Sequence, residues 1–390
     1  MKILFLAPHP FYQDRGTPID VHLVLSAMSE RGDSVDLLTF HEGVNREYRN
    51  VKIYRINPWK WVKNIKPGFS WKKIICDFFM FIKLIRMLRQ KKYDILHVTE
   101  ESVFMALFIS LFFHTPYIYD MDSLMSRQLV DKFRFLKVVD GLFRWCESRA
   151  IKKAIAVAPV CNALAEEAQV LGAKKIVLCK DVSLLGQFGD IEVENIRSQH
   201  SIVGPIIMYI GNFVYYQGVD LLIKSFTEVC KHRKCALVII GGNPASRMEM
   251  YKEMALGLGC ADNVYFLGQK RVEQLDNYMK QADILVSPRL HGHNTPMKIF
   301  SYLHSGIPVL ATRLFTHTQE IPDKAALLAS PQVNTFAEAI DRLLDDSDLR
   351  ERLSKEAISF IEREHTYEAL RTAIFSLYED VERDIKGKDK

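Results

Sequence analysis

The chain alternates short, uninterrupted apolar runs with segments of helical apolar spacing, and it does so in two successive series. Lys2–Ala7 is the first such run. A strand that is apolar at nearly every position is buried on both faces, the mark of a parallel sheet covered by helices on either side. After the loop His9–Gly16, a segment opened by Thr17-Pro18 carries Val21, Val24, Leu25 and Met28 at helical spacing and stops at Gly32. Val35–Phe40 is the next strand, which completes a βαβ unit. The GxGxxG dinucleotide fingerprint is absent from its turn. Gly16 either lets backbone approach a phosphate or merely ends the loop.

Further along, Val51–Ile56, Asp94–Val98, Pro116–Asp120, Ile155–Pro159 and Lys175–Cys179 read as strands. Helices are expected at Ser102–Phe113, near Phe133–Lys153 and at Asn162–Leu171. Lys180–Gln199 lacks periodicity, contains Gly186 and Gly189, and reads as a linker. The second series then places strands at Pro205–Ile210, Cys235–Ile240, Val264–Leu267, Ile284–Pro288 and Val309–Thr312. Its helices are Val219–His232, Ser246–Leu256 and Val272–Lys280, and the tail from Thr335 is helical. The expected class is therefore α/β, with two Rossmann-like, doubly wound domains at 1–185 and 186–365 and a C-terminal helix at 366–390 packing back on the first.

Among 390 residues, 48% are apolar and 25% charged, as in globular chains with sizeable cores. A net charge of +5 is too weak to argue for nucleic acid. The seven cysteines, at 76, 146, 161, 179, 230, 235 and 260, follow no metal-ligand or disulfide spacing and read as reduced thiols. Val103–Phe113, the longest apolar run, is well short of the about 18 residues that span a bilayer. The expectation is a cytoplasmic protein, attached to a membrane only at its inner surface if at all. The segment Trp59–Lys73 supplies a reason for such attachment. It gathers Trp59, Trp61, Phe69 and Trp71 with Lys60, Lys63, Lys66, Lys72 and Lys73. Indole and ammonium groups together suit an anionic membrane interface; a surface loop leading into a core helix is the plainer reading.

Two regions carry candidate chemistry. In Ser287–Thr312, Thr295 reads as an N-cap and Pro296 as a first helical residue, with Met297, Phe300 and Leu303 on the buried side. Arg289, His293, Asn294 and Lys298 surround that helix start, an arrangement suited to a phosphate or diphosphate. Ligands of doubly wound sheets meet the carboxyl ends of strands. Glu101 and Asp122 sit at two such ends and suit either site carboxylates or helix caps.

Taken together and in order, MKILFLAP, a glycine loop, SERGDSVDLLTF, YIGNFVYYQGVDLLIKSF, LVIIGGNP, NVYFLG, QADILVSPR and SGIPVLAT resemble the retaining glycosyltransferases of family 4, with the two-Rossmann GT-B architecture. The resemblance runs over essentially the whole length. It implies a hexosyl or N-acetylhexosaminyl transferase that takes a nucleoside diphosphate sugar, without metal or other cofactor, in a cleft between the domains and mainly on the C-terminal one. The acceptor would be a glycan or a lipid-linked sugar. The family's diphosphate-binding Arg/Lys pair falls on Asn212 and Gln217, its two glutamates on His293 and Ser301, and its acceptor-side histidine on Asp122. The residues expected to bind the donor are thus Gly16, Thr17, Asn212, Gln217, Arg289, His293, Asn294, Thr295, Lys298 and Ser301. Asp122 and Glu101 are the expected catalytic residues. A non-catalytic nucleotide-sugar-binding partner of a glycan assembly complex is the alternative that the altered positions favour.

Overall fold

The computed structural model describes residues 1–65, 70–126, 140–189, 191–242, 245–292 and 294–388. Lys66 and Phe69, the start of the helix expected near Phe133, and His293 lie outside the described residues. The chain divides into two compact units, Met1–Asp181 with Glu368–Lys390, and Val182–Tyr367.

In the first unit the strands are β1 (Lys2–Ala7), β2 (Ser34–Thr39), β3 (Val51–Arg55), β4 (Ile95–Thr99), β5 (Tyr117–Met121) and β6 (Ala156–Pro159). They form one parallel sheet in the order β3-β2-β1-β4-β5-β6. All of β4 and β5, and all of β1 beyond Lys2, is buried, which is why these segments read as largely apolar runs, broken by His97 and Thr99 in β4 and by Asp120 in β5. Helix α1 (Gly16–Arg31) ends where Gly32 takes a left-handed φ of 86° and Asp33 N–H returns to Met28 O at 3.1 Å. Helix α2 (Trp71–Gln90) starts at Ser70, whose hydroxyl accepts from Lys73 N–H at 3.2 Å. Helix α3 is shorter than expected and spans Ser102–Ile109. The segment expected as a strand at Lys175–Cys179 makes an isolated bridge, Val157 to Ile176, and a few hydrogen bonds along β6.

The second unit repeats the plan with β7 (Ile206–Ile210), β8 (Ala236–Ile240), β9 (Val264–Gly268), β10 (Ile284–Ser287), β11 (Val309–Thr312) and β12 (Leu327–Ala329). The order is β12-β11-β10-β7-β8-β9, the first sheet's permutation read from its other edge. The expected helix Val272–Lys280 is a 3-10 turn, Val272–Gln274, followed by a short helix, Leu275–Met279.

The C-terminal helix Tyr367–Lys388 packs on the first unit. Ile374, Leu377, Tyr378 and Val381 are buried, Glu382 pairs with Arg31 at 2.8 Å, and Asp384 pairs with Lys175 at 2.7 Å. Among the described residues, no helix is long and apolar enough to cross a membrane.

In this strand order the connections reverse direction between β1 and β4, and again between β7 and β10. The crevice at such a switch point is where open α/β sheets bind ligands.

Candidate functional site

In the second unit the switch point is set by close backbone approach. A Cβ at Gly211, just past β7, would lie 2.9 Å from Lys298 Nζ and 2.7 Å from Tyr209 Oη. Gly218 has φ 69°, and a Cβ there would meet Pro288 O at 1.9 Å. These glycines let the loop after β7 lie against Arg289 and Leu290, and Leu290 N–H donates to Tyr216 O at 2.8 Å.

Lys298 Nζ is buried and has no hydrogen-bond partner. It lies 4.0 Å from the centroid of the Tyr209 ring and 5.9 Å from that of Tyr302. Burial, and then the charge of Arg289, push its pKa well below the ordinary lysine range. The Arg289 guanidinium lies 5.2 Å from the Tyr216 ring centroid, and its Nε donates to His291 O at 2.9 Å. Thr295 Oγ1 and Gln217 Oε1 are also buried without partners. Two cations and two unused polar groups thus stand on the loops and helix around this switch point.

Thr295 does not cap the helix. Met297 already has helical angles, Ile299 N–H donates to Pro296 O, and the helix spans Lys298–His304. Its buried side is Ile299, Phe300, Tyr302 and Leu303, with Met297 only half-buried. The turn at Pro296–Met297 delays the helix start, so the threonine hydroxyl is left over. Of the expected anion site, the side-chain cations Arg289 and Lys298 are present and the capped helix end is not. The Ser301 hydroxyl accepts from Leu184 N–H at 3.0 Å, which ties the helix to the segment before β7. Asn212 is exposed, its carbonyl accepting from Tyr209 Oη at 2.7 Å. Asn294 is half-buried two residues beyond Gly292.

In the first unit the corresponding loops carry acids. Lys73 Nζ lies 2.7 Å from both Glu100 Oε2 and Glu101 Oε1. Thr17 Oγ1 donates to Glu100 Oε1 at 3.4 Å, and a Cβ at Gly16 would meet nothing within 4 Å. Burial alone would raise the pKa of Glu100, but Lys73 and His9 outweigh it and hold the carboxyl below its usual value. Glu101 is raised to about 7, by burial and by Glu100, against the pull of Lys73. Burial lowers His9 to about 4.

Asp122 lies just past β5, and an oxygen from each of Asp20, Asp120 and Asp122 lies within 4.8 Å of the others. Burial first, then Asp20 and Asp120, push the Asp122 carboxyl well above the usual range. Asp120 accepts from His97 Nε2 at 3.1 Å, and Tyr378 Oη is 2.8 Å from His97 Nδ1. Asp20, Asp120, His97, His9 and Glu100 escape a reading by motif. One of them left a trace: Asp20 shares a helix face with Val24 and Met28, an acid on a stripe that should be apolar.

The same unit carries an aromatic surface. Trp59 stacks on Trp61 and Trp61 on Trp71, each pair with centroids 5.5 Å apart, and all three are more than half exposed. Lys60 and Lys63 are exposed beside them. Lys73, grouped with these lysines in the sequence, is instead buried in the ion pair with Glu100 and Glu101.

Residues 192–360 match the family model described as "Glycosyl transferases group 1". Alpha-D-kanosaminyltransferase from Streptomyces kanamyceticus is 25% identical over 262 residues, covering 63% of this chain and 66% of its own length. The chain thus matches just under two thirds of that relative. Among solved structures, sucrose-phosphate synthase from Thermosynechococcus elongatus superposes with a TM-score of 0.77 at 19% identity, over 97% of this chain and 98% of the other. The Anabaena protein HepE in complex with UDP gives 0.75 at 13% identity, over 97% and 100%; its UDP-glucose complex gives 0.73. The fold is therefore that of the two-domain GT-B glycosyltransferases, and the segment that matches the group 1 model lies within the second unit.

Proposed function

We propose that this chain is a glycosyltransferase that moves a hexosyl or N-acetylhexosaminyl group from a nucleoside diphosphate sugar to a glycan or lipid-linked acceptor, with retention of configuration. One observation carries the reading: Lys298 Nζ is buried, unpartnered and close enough to feel Arg289. A buried cation without a counter-charge is costly. A diphosphate would relieve that cost and accept hydrogen bonds from both residues. The UDP and UDP-glucose complexes of HepE supply the ligand class.

In this mechanism Lys298 and Arg289 meet the charge that develops on the departing diphosphate, the role of preorganised donors in group transfer. No metal is needed at that position. The anomeric C–O bond to the diphosphate breaks as the bond to the acceptor oxygen forms on the same face, and the leaving phosphate takes the acceptor proton. Asp122 orients or helps deprotonate the acceptor, and Glu101 positions it. Thr295, Asn294, Gln217, Asn212 and His293 contribute polar contacts to the donor; Ser301 holds the helix behind them.

A thermal-shift screen across nucleoside diphosphates and their sugars tests the donor, since a ligand of the native state raises its melting temperature. Sugar transfer by the purified protein, with candidate acceptors present, tests the activity. Binding without hydrolysis or transfer would favour the second reading, a non-catalytic nucleotide-sugar-binding partner. The polar but uncharged Asn212, Gln217 and Ser301, where the family has charged groups, favour that reading.

The stacked tryptophans and their lysines fit an anionic membrane surface, and we assign them that role at the inner face of the membrane. The protein should sediment with anionic vesicles at low salt and less so at higher salt, where exposed charges are screened over about 10 Å. Protein left in the supernatant at low salt would reject the assignment.

A further inference from the structure

We propose that Asp20, Asp120 and Asp122 form a divalent-cation site in the first unit. Two separate pieces of chain supply the carboxylates: the second turn of α1 gives Asp20, and the end of β5 with the residue after it gives Asp120 and Asp122. Any two of the three oxygens lie within 4.8 Å, the span of two ligands placed opposite each other about 2.4 Å from an ion. Asp20 is only 5% exposed, and its Oδ2 is buried without a hydrogen-bond partner. A buried acceptor left unmet points to a missing ion or water. It is not met from the protein side: the groups whose charges act most on Asp20 are Asp120 and Asp181, both acids.

The rest of the geometry fits a metal. His97 Nε2, 3.1 Å from Asp120 Oδ2, fixes that carboxylate while Tyr378 Oη holds the other ring nitrogen at 2.8 Å. Ligating carboxylates are commonly oriented by such outer hydrogen bonds. Three carboxylates with no sulfur or imidazole ligand select a hard ion such as Mg²⁺, Ca²⁺ or Mn²⁺. This departs from the expectation of no metal, and it does not depend on glycosyl transfer.

The experiment uses the metal-stripped full chain titrated with Mn²⁺, with the paramagnetic resonance signal of free aqueous Mn²⁺ as the readout. One equivalent should bind and raise the melting temperature. Asp20→Asn and Asp122→Asn, which keep the side-chain size, should each weaken binding about tenfold or more, in the range that perturbing a metal site's surroundings costs. Melting of each variant without metal reports whether it folds, and the half-buried Asp122→Asn keeps the test open if Asp20→Asn does not. An undiminished free signal at about 1 mM Mn²⁺, the weak end of protein sites for such ions, would overturn the proposal. So would unchanged binding in a folded variant. Transfer activity enters none of these outcomes, so a failure here is distinct from a failure of the transferase reading.

Discussion

At the switch point of the first unit, the segments after β1 and β4 bring Thr17, Glu100 and Glu101 to Lys73; at that of the second, the segments after β7 and β10 bring Arg289 to Lys298. The strand permutation is the same in both. Each crevice holds one inward lysine, and the two lysines have opposite fates. Lys73 is flanked by two carboxylates at 2.7 Å; Lys298 Nζ touches aromatic rings and shares its surroundings with a second cation. The backbone frame decides where a ligand is met, and the loops decide the sign of the charge that meets it. A neutralised lysine holds a fold together, whereas an uncompensated one is a demand for an anion.

The sharpest break of this comparison is to remove each lysine in turn. Lys73→Met should destabilise the protein by about 3–5 kcal/mol, because two buried carboxylates lose their partner. Lys298→Met should leave the melting temperature of the ligand-free protein unchanged or raised, because a buried amine without a hydrogen-bond partner is replaced by an apolar side chain. Equal losses in the two variants, measured by chemical denaturation, would erase the distinction.

Next in size, Asp122→Asn should lower sugar transfer by about 10²-fold, the scale of general acid–base assistance, with diphosphate affinity and metal-free melting unchanged. Unaltered turnover would return Asp122 to a structural role.

A smaller effect sharpens the basic side. Lys298→Ala or Arg289→Ala should weaken nucleoside diphosphate binding about tenfold or more, from the roughly 1.5–3 kcal/mol of a charge-assisted contact. Binding of the bare nucleoside should hardly change, and calorimetry on both ligands checks this.

The smallest is a proton. The pKa of Lys298 is depressed in the free protein, and Arg289, Tyr209 and Tyr302 are the groups around it. Both tyrosines are pushed up by burial and stay protonated. The neutral amine is thus favoured in the native state, which loses stability as pH falls from the ordinary lysine range toward the depressed value. An incoming diphosphate favours the ammonium and draws a proton in, so affinity should fall as pH rises through that window. Calorimetry in buffers of different ionisation enthalpy should show proton uptake that Lys298→Met abolishes; uptake that survives the substitution would place it elsewhere.

Most of the architecture was legible because buried parallel strands leave unbroken apolar runs. β12 escaped, since Leu327–Ala329 is three residues long and has no pattern of its own. Arg289 and Lys298 were legible as cations flanking a helix start, but the missing hydrogen-bond partner of Lys298 Nζ is a three-dimensional fact. Thr295 was misread because capping depends on where the turn closes, and the Pro296–Met297 turn displaces it. Lys73 was misread by its neighbours. It follows Trp71 and Lys72, yet it lies on the buried stripe of α2 with Cys76, Met80, Leu84 and Met87. Helical periodicity held the answer, and local composition hid it.

The helix Tyr367–Lys388 has a consequence for how the protein is made. It closes a core whose other strands lie before Asp181, and its Tyr378 reaches His97 in that core. During synthesis at about 5–20 residues per second, the segment Val182–Tyr367 separates the two parts by roughly 10–40 s. Through that interval the nascent chain presents the apolar face that Ile374, Leu377, Tyr378 and Val381 later cover. A released chain ending at Tyr367 should yield a second unit that resists protease and a first unit that does not.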